Sequence, residues 1–357
     1  MPADVNSRCA RVGRVLILAL YLAPIVALTQ AVTGVGFAPI VIHDPVNGGT
    51  MPGYVFYPSM QAKGVTWRGP YELQASIDAR PVPGAKPLVV IAHGHGGSDL
   101  GHHDLAVYLA GHGFVTATLE FPEDNFHDSS GDGQAVVMGG RPIQVSATIT
   151  MLLADSRWKN LIAADRIGVA GFSAGGYTSL LLVGAVPRFD RFIDYCERYP
   201  DDKGTCGLVK QLPILAPGMS EKGYAEVLQK TFTRWGKTDD PRVRAAFVMA
   251  PQSISFDEEG LATINRPVLL YYAQHDQVLL PQENVLHIAP LIKTLIGTKM
   301  IPEAGHYVFL APCSPQLTKD APEICNDPPG VNRVEVHAQI NADALTFFRK
   351  TLVASPP

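Results

Sequence analysis

Short apolar runs alternate with polar, glycine-rich segments along most of this chain. Runs that are compact or that alternate strictly predict strands; they lie at residues 53–58, 87–92, 114–119, 166–170, 243–250, 267–273 and 298–301. Apolar residues at helical spacing predict helices over 103–110, 142–153, 174–183, 283–295 and 332–352. Pro142 would lie in the first turn of the second helix. This rhythm of strands and helices indicates the α/β fold class.

A serine flanked by glycines follows the apolar run at 166–170. The segment Gly171-Phe172-Ser173-Ala174-Gly175 has the G-x-S-x-G pattern, in which small neighbours let the chain turn sharply from a strand into a helix. Such a turn lifts the serine hydroxyl clear of the sheet, so we predict Ser173 as a nucleophile. The N–H of Ala174, at the positive end of the following helix, would then donate to a developing oxyanion.

A glycine-rich loop, His93-Gly94-His95-Gly96-Gly97-Ser98, follows the strand predicted at 87–92. Backbone N–H groups in a loop at this place can also face an oxyanion. The alternative is an ordinary turn between a strand and a helix.

A candidate acid and a candidate base follow two later strands. Asp276 comes three residues after the run at 267–273, and His306 follows the strand predicted at 298–301. A carboxylate there can accept the Nδ1–H of a histidine, and that histidine can take the proton of the serine. Taken singly, Asp276 would be read as a loop or capping residue and His306 as a surface histidine. Together with Ser173 they predict a Ser-His-Asp triad.

On these residues the chain resembles the α/β-hydrolase superfamily, which uses the order Ser173, Asp276, His306. Within it, the loop at 93–98, the segment 171–177 and the contexts of the acid and the base are similar to dienelactone-hydrolase-like and platelet-activating-factor-acetylhydrolase-like esterases. The resemblance implies a mostly parallel, eight-stranded sheet flanked by helices, over a domain of residues 45–352. It also implies that the His95 N–H is the second oxyanion donor. Dienelactone hydrolases carry a cysteine nucleophile, which argues against dienelactone itself as the substrate.

Residues 186–241 interrupt the alternation of predicted strands and helices within the hydrolase domain. The segment is rich in aromatic residues: Phe189, Phe192, Tyr195, Tyr199, Tyr224, Phe232 and Trp235. One hypothesis is a cap or lid that supplies the wall of an acyl-binding pocket. The other is a surface excursion with a small core of its own.

The first 31 residues have the pattern of a targeting segment. Three arginines precede an apolar run over residues 15–28, and Thr29-Gln30-Ala31 offers small residues for cleavage. The segment therefore predicts a secretory signal peptide. An uncleaved N-terminal anchor is the alternative, because no charged residue occurs from Val15 to Ile42. Either way the protein is expected to be exported, to the periplasm or outside the cell.

Four cysteines remain if the signal is removed. Short spacings favour the pairs Cys196–Cys206 and Cys313–Cys325, although four cysteines allow three connectivities. Disulfides fit an oxidising compartment, which agrees with export.

Composition narrows the set of partners. The chain is 46% hydrophobic and 17% charged with a net charge of −4, and it has no basic block, so nucleic acid is not an expected partner. The triad instead predicts a small-molecule or lipid ester as substrate, hydrolysed as by an esterase or a phospholipid acetylhydrolase. No metal or cofactor is expected. The membrane would be a partner only through an uncleaved N-terminal segment.

Two other functions remain open. The cluster of His93, His95, Asp99, His102, His103 and Asp104 suggests a metal-dependent hydrolase, although Gly97 stands where the metallo-β-lactamase-like motif has an aspartate. The second alternative is a non-catalytic exported binding protein on a hydrolase fold, since fold alone does not establish function. The complete set of nucleophile, base and acid favours the esterase.

Overall fold

The apolar runs form one nine-stranded sheet in this computed structural model, which describes residues 34–131 and 134–353 together with Met1. The strand order across the sheet is β11-β10-β9-β8-β6-β7-β2-β1-β5. The bounds are β1 (Gly34–His43), β2 (Thr50–Ser59), β5 (Ser76–Ile77), β6 (Lys86–Ala92), β7 (Val115–Leu119), β8 (Ile162–Phe172), β9 (Val243–Met249), β10 (Val268–Ala273) and β11 (Leu295–Ile301). A separate antiparallel pair is formed by β3 (Thr66–Arg68) and β4 (Tyr71–Leu73).

Helices fill most of the connections between the strands. They are α1 (His103–Gly111), α2 (Ala135–Ala154), α3 (Ala174–Leu182), α4 (Phe189–Arg198), α5 (Lys203–Leu215), α6 (Glu221–Thr233), α7 (Glu258–Ala262), α8 (Val285–Ile288), α9 (Pro315–Asp320), α10 (Pro322–Cys325) and α11 (Arg333–Phe348). Short 3₁₀ helices cover Ala289–Leu291 and His306–Phe309, and a π-helical turn at Arg349–Val353 follows α11.

The centre of the sheet is parallel. Strands β7, β6, β8, β9, β10 and β11 run in one direction, whereas β2 pairs antiparallel with both β7 and β1. The carboxyl ends of all six parallel strands therefore meet at one edge of the sheet, which is where open α/β sheets bind ligands.

Helices cover both faces of the sheet, and two apolar cores result. Alternate residues of β6 point to opposite sides: Leu88 and Val90 join the core beneath α2 and α3, while Val89 and Ile91 join the core beneath α1 and α11. A strand that is buried on both faces has to be apolar at every position, which explains why the runs are continuous instead of alternating.

The predicted fold class is confirmed, and the count of strands is corrected from eight to nine. The two-residue strand β5 adds the outermost position by pairing with Gly36 and Phe37 of β1. Neither strand was predicted. β1 begins in the uncharged stretch up to Ile42 that had suggested an N-terminal anchor. β5 lies in a segment broken by prolines, where only its pairing defines it.

Two helix predictions need correction. The helix α2 begins at Ala135, so Pro142 lies inside it and not in its first turn. Packing of Ala135 and Met138 against the core supports the turns before the proline. By length and composition α2 could cross a membrane, but half of its most apolar window is buried within the fold. The helix predicted at 283–295 breaks up near Pro290, which lacks an N–H, and the chain enters β11 at Leu295.

The segment 186–241 is an insertion of three helices, α4, α5 and α6, placed between α3 and β9. Phe189 stacks edge-on against Phe232 at 5.9 Å between ring centroids, so α4 packs against α6. The disulfide Cys196–Cys206 joins α4 to α5. The signal or anchor predicted over residues 1–31 lies, apart from Met1, outside the described residues.

Candidate active site

The sequence-predicted site residues follow strand ends at one edge of the sheet. The loop at 93–97 follows β6, and Ser173 follows its neighbour β8, in which Gly171 pairs with Ala92 of β6. Asp276 and His306 follow the adjacent strands β10 and β11. Residues that are up to 213 positions apart in the sequence are thereby brought to the same end of the sheet.

Ser173 occupies a strained turn between β8 and α3, with φ 55° and ψ −116°. Its N–H donates to the carbonyl of Met249 at 2.9 Å, and its own carbonyl accepts the N–H of Tyr177 at 3.0 Å. A Cβ on Gly171 would lie 2.0 Å from the Gly175 carbonyl oxygen, and one on Gly175 would lie 2.0 Å from the Ala92 oxygen. The flanking glycines are therefore required by close backbone contacts.

His306 and Asp276 form a buried pair. The Nδ1 of His306 lies 2.6 Å from Oδ2 of Asp276, and both side chains are almost fully removed from solvent. The other carboxylate oxygen accepts the N–H groups of Val278 and Leu279 at 2.9 and 2.8 Å. Asp276 is thus held with Oδ2 directed at the imidazole, which puts the proton on Nδ1 and leaves the lone pair of Nε2 to act as a base.

The imidazole of His306 lies beside the residue that precedes the serine. Its ring centroid is 4.7 Å from that of Phe172. Among the described residues no hydrogen bond within 3.5 Å joins Ser173 Oγ to His306. Such contacts are often long in unliganded enzymes and tighten when substrate binds.

A cavity of about 300 Å³ opens beside Ser173. Both predicted oxyanion donors, His95 and Ala174, line it together with the serine. Further parts of the wall come from α2, from α3, from the loops after β9 and after Asp276, and from the inserted helices: Val137, Met138, Tyr177, Phe192, Thr205, Gly207, Gln211, Tyr224, Gln252, Val278 and Leu279. The insertion therefore contributes to the cavity wall.

A buried ion pair, Arg141 with Asp124, lies in the wall of the same cavity. The guanidinium of Arg141 also donates to the carbonyl of His93 and, through Nε, to Thr178 Oγ1 at 3.2 Å. The carboxylate of Asp124 in turn contacts Nδ1 of His95. Asp124 lies in a polar loop whose acidic residues would be expected to face solvent, but its side chain is buried.

His93 lies behind the loop as a neutral residue. Burial, with the nearby Arg141, lowers the pKa of His93 to about 3. The N–H of Phe121 donates to its Nε2 at 3.1 Å, so Nδ1 carries the proton and donates to the Gly94 carbonyl at 2.6 Å. His93 supports the start of the loop and does not face the cavity as a catalytic group would.

His103 and Asp104, two members of the suspected metal cluster, have hydrogen-bond partners of their own. His103 Nδ1 donates to the Leu100 carbonyl at 2.9 Å, and Asp104 pairs with His337. Burial lowers the pKa of His102 to about 4 and raises that of Asp99 to about 7. Over residues 34–131 and 134–353, no three His, Cys, Asp or Glu side chains are grouped as metal ligands.

Both cysteine pairs favoured by spacing are disulfides in the structure, Cys196–Cys206 and Cys313–Cys325. The residues that sequence reasoning missed are Arg141 and, in its actual role, Asp124. A signal for Arg141 exists, because it is the one charged residue in the 20 residues of α2. A single arginine in an apolar helix has to find a buried partner.

Comparisons with known proteins bear on the fold. No protein-family model and no curated protein matches the chain. Among solved structures it is similar to a ferulic acid esterase from Streptomyces cinnamoneus, with 20% identity over 93% of this chain and 94% of that one and a TM-score of 0.59. A putative dienelactone hydrolase from Klebsiella pneumoniae matches with 15% identity over 88% of this chain and 99% of that one, at a TM-score of 0.49. At 20% identity, the similarity to the ferulic acid esterase is evidence of a shared fold only. The chain has the α/β-hydrolase fold that its sequence led us to expect.

Proposed function

We propose that this protein is a serine hydrolase that cleaves carboxylic esters through an acyl-enzyme. The observation that carries the proposal is the buried His306–Asp276 pair, 2.6 Å between Nδ1 and Oδ2, at the sheet edge where Ser173 occupies a strained turn. Strained backbone at a nucleophile is typical of this chemistry, because the surrounding structure has to hold the hydroxyl in an exposed position.

In the proposed reaction His306 removes the proton of Ser173 through Nε2 as Oγ attacks the ester carbonyl. Asp276 keeps the imidazole in the required tautomer and stabilises its charged form. The imidazolium then gives its proton to the departing alcohol. Water, deprotonated by the same histidine, cleaves the acyl-enzyme and regenerates Ser173. No metal or cofactor takes part in these steps.

The N–H groups of His95 and Ala174 would stabilise the tetrahedral oxyanion. Both residues line the cavity beside the serine, and Ala174 begins α3, whose positive end points toward the reacting carbon. Removing one oxyanion donor typically raises the barrier by about 3 kcal/mol. These two contacts are therefore expected to supply a large share of the catalysis.

The cavity favours a compact acyl group. Its volume of about 300 Å³ is at the lower end of the range for small-molecule sites, roughly 300–1,000 Å³. Phe192 and Tyr224 offer aromatic walls, which suits a short or single-ring acyl group, as in the ester of an aromatic acid that a ferulic acid esterase is named for. A long lipid chain is the less favoured substrate.

The insertion of α4, α5 and α6 is proposed to act as a cap over the acyl site. Phe192 of α4, Thr205 of α5 and Tyr224 of α6 all line the cavity, so each of the three helices contributes. A surface excursion with a separate core would not place residues of all three helices against the cavity that holds Ser173.

Export is proposed on the disulfides together with the N-terminal sequence. Two disulfides fit an oxidising compartment. Mass spectrometry of the protein recovered from its source would test this: a mature chain that begins near residue 32 is expected, and a full-length intracellular chain with reduced cysteines would contradict export.

The function is tested by labelling with a fluorophosphonate and by turnover of a p-nitrophenyl ester panel from acetate upward. The native protein should be labelled and should hydrolyse the short and aromatic esters, while Ser173→Ala and the heat-denatured protein should not be labelled. Labelling that persists in Ser173→Ala would refute the assignment of Ser173 as the nucleophile. Activity lost to a chelator would favour the metal-dependent alternative, and a folded protein with neither labelling nor turnover would favour the binding protein.

A further inference from the structure

We propose that Arg141 and Asp124 are positioning residues that hold the loop at 93–97 with its N–H groups directed at the oxyanion. The inference rests on the proposed function, because it assigns a role to residues that do not touch the reacting atoms. It adds that the oxyanion site is set by a buried ion pair between α2 and the loop after β7.

Arg141 connects three separate segments from one position in α2. Its guanidinium donates to the carbonyl of His93, to the carboxylate of Asp124 and, through Nε at 3.2 Å, to Thr178 Oγ1. His93 begins the loop, and Thr178 is in the second turn of α3, the helix that Ser173 starts. One planar group therefore sets the distance between the loop and the nucleophile helix. Arginine suits this use because its donors point in fixed directions.

Asp124 extends the connection from Arg141 to the donor residue itself. One carboxylate oxygen pairs with Arg141, while the other contacts His95 Nδ1 and accepts the Gly96 N–H at 3.2 Å. Asp124 thus contacts the side chain of His95 and the main chain of the next residue, and these two contacts together restrict the orientation of the His95 N–H. Gly96 has φ +61°, a left-handed conformation that such contacts help to hold.

The pair is buried, and its partners keep it ionised. The side chains of Arg141 and Asp124 are 2% and 4% exposed. Burial alone would raise the pKa of Asp124, but Arg141 and His95 hold it below its usual value. A buried ion pair is an expensive way to stabilise a fold, since apolar residues of similar volume often do as well or better. Its place in the cavity wall fits a role in positioning.

Asp124→Asn tests the proposal, with Asp240→Asn as the matched control. Asp240 forms an ion pair with Arg242, whose guanidinium donates to Ser146 and Thr150 of the same helix α2. The Asp240 pair lies before β9, however, and so at the opposite end of the parallel strands from Ser173. We expect Asp124→Asn to lower kcat roughly 10²-fold, the loss typical of one oxyanion donor. KM should change little, and the pH profile of kcat/KM should keep its shape at a lower height. Asp240→Asn should keep the kcat of the native protein.

Inhibitor binding separates positioning from general loosening. A boronic acid that forms a tetrahedral adduct on Ser173 should bind Asp124→Asn roughly 10²-fold more weakly. The corresponding amide, a planar ground-state mimic, should bind as it does to the native protein. Equal losses for both inhibitors, or an unchanged kcat, would overturn the proposal.

A milder variant covers the case in which Asp124→Asn does not fold. His95→Ala keeps the backbone N–H but removes the imidazole contact with Asp124, and the side chain is 51% exposed, so the fold should survive. Because one of the two contacts is lost, kcat should fall roughly tenfold, with boronic acid affinity falling in parallel. Unchanged kcat in this variant would also overturn the proposal. A native protein that shows neither turnover nor labelling would instead refute the proposed function itself.

Discussion

Ser173 combines a costly backbone conformation with several backbone hydrogen bonds. A left-handed φ costs a non-glycine residue roughly 1–2 kcal/mol. Its N–H is bonded to Met249, and its carbonyl accepts from Tyr177 and from Gln252, at 3.1 Å for the latter. The end of β9, the loop that follows it and the helix α3 thus fix the same residue. The strain persists because the surrounding main chain over-determines the turn.

The space around this turn leads to a prediction for Gly175→Ala. The new Cβ would lie 2.0 Å from the Ala92 oxygen and 2.7 Å from that of His93, both backbone atoms that cannot move aside cheaply. We expect the free energy of unfolding to fall by about 1–3 kcal/mol or more, with loss of esterase activity, as measured by urea denaturation and turnover. Gly297→Ala in β11 is the control, since nothing lies within 4 Å of its Cβ. Equal stability of the two variants would contradict this account.

The carboxylate of Asp276 leads to a second prediction. In Asp276→Asn the side-chain oxygen can still accept from Val278 and Leu279, so the fold should survive, but the amide N–H₂ then faces His306 and favours the wrong tautomer. We expect kcat to fall about 10⁴-fold, with normal thermal unfolding.

The control for Asp276→Asn is Asp257→Asn. Asp257 caps α7 by accepting the Gly260 N–H, and asparagine caps a helix equally well. Its kcat should equal that of the native protein. A loss smaller than tenfold in Asp276→Asn would mean that the buried pair with His306 is structural.

At the scale of elements, the sequence predicted what is encoded locally. The runs that became β6, β8, β9 and β10 are apolar at nearly every position, because both faces of each strand are buried. Ser173, Asp276 and His306 follow strands in the structure, as predicted, because the end of an apolar run can be read from the neighbouring residues alone. The break at Pro290 was a local signal too, and the helical periodicity on either side of the proline concealed it.

The missed features depend on contacts between distant segments. The strand β5 exists through its pairing with β1, about 40 residues earlier in the chain, and the first turns of α2 depend on packing against the core. The pair of Asp124 with Arg141 joins a loop to a helix, and neither residue belongs to a catalytic motif. A lone arginine in an apolar helix predicts a buried partner, but only the fold shows which carboxylate it is.

A second buried histidine pair connects α1 and α11 to the turn that carries His306. His337 Nδ1 lies 2.6 Å from Asp104 Oδ2, and its Nε2 lies 2.9 Å from the Val308 carbonyl. Because both partners are acceptors, both ring nitrogens carry protons and the imidazole is charged. Asp104 raises the pKa of His337 in spite of burial. The 3₁₀ turn at 306–309 is thus held by a side chain of α11.

His337→Gln is therefore expected to destabilise the protein in a pH-dependent way. A raised folded-state pKa contributes stability that is fully present below the unfolded value of about 6.5 and is lost as the pH rises through the folded value. Breaking a buried pair costs about 3–5 kcal/mol, so urea denaturation should show a large difference from the native protein at pH 6 and a smaller one at pH 9. His112→Gln, an exposed residue after α1, should show neither effect. A difference that does not vary with pH would argue that the imidazole is neutral.

At the scale of the whole molecule, the cavity beside Ser173 is lined by residues at the sheet edge and by residues of the inserted helices. One disulfide lies within the insertion and the other follows the His306 turn. The buried disulfide Cys196–Cys206 joins α4 to α5, which supply Phe192 and Thr205 to the cavity wall. The half-buried Cys313–Cys325 disulfide closes the segment that follows the His306 turn. The two loops are almost equal in length, with sequence separations of 10 and 12.

This near equality makes the two disulfides controls for each other. Chain entropy alone predicts that removing either disulfide lowers the free energy of unfolding by a similar amount, about 2–3 kcal/mol. The double variants would be Cys196→Ser with Cys206→Ser and Cys313→Ser with Cys325→Ser.

The two double variants should differ in their kinetics. Loosening α4 from α5 disorders the acyl wall but leaves Ser173, His306 and the loop at 93–97 in place, so the first pair of substitutions should raise KM for aromatic esters and change kcat less. The second pair should leave KM as it is in the native protein, because no residue of 313–325 lines the cavity in the part of the chain described. Steady-state kinetics on an aromatic and an acetyl ester would measure both effects, and an unchanged KM in the first variant would mean that the insertion does not serve as the cap.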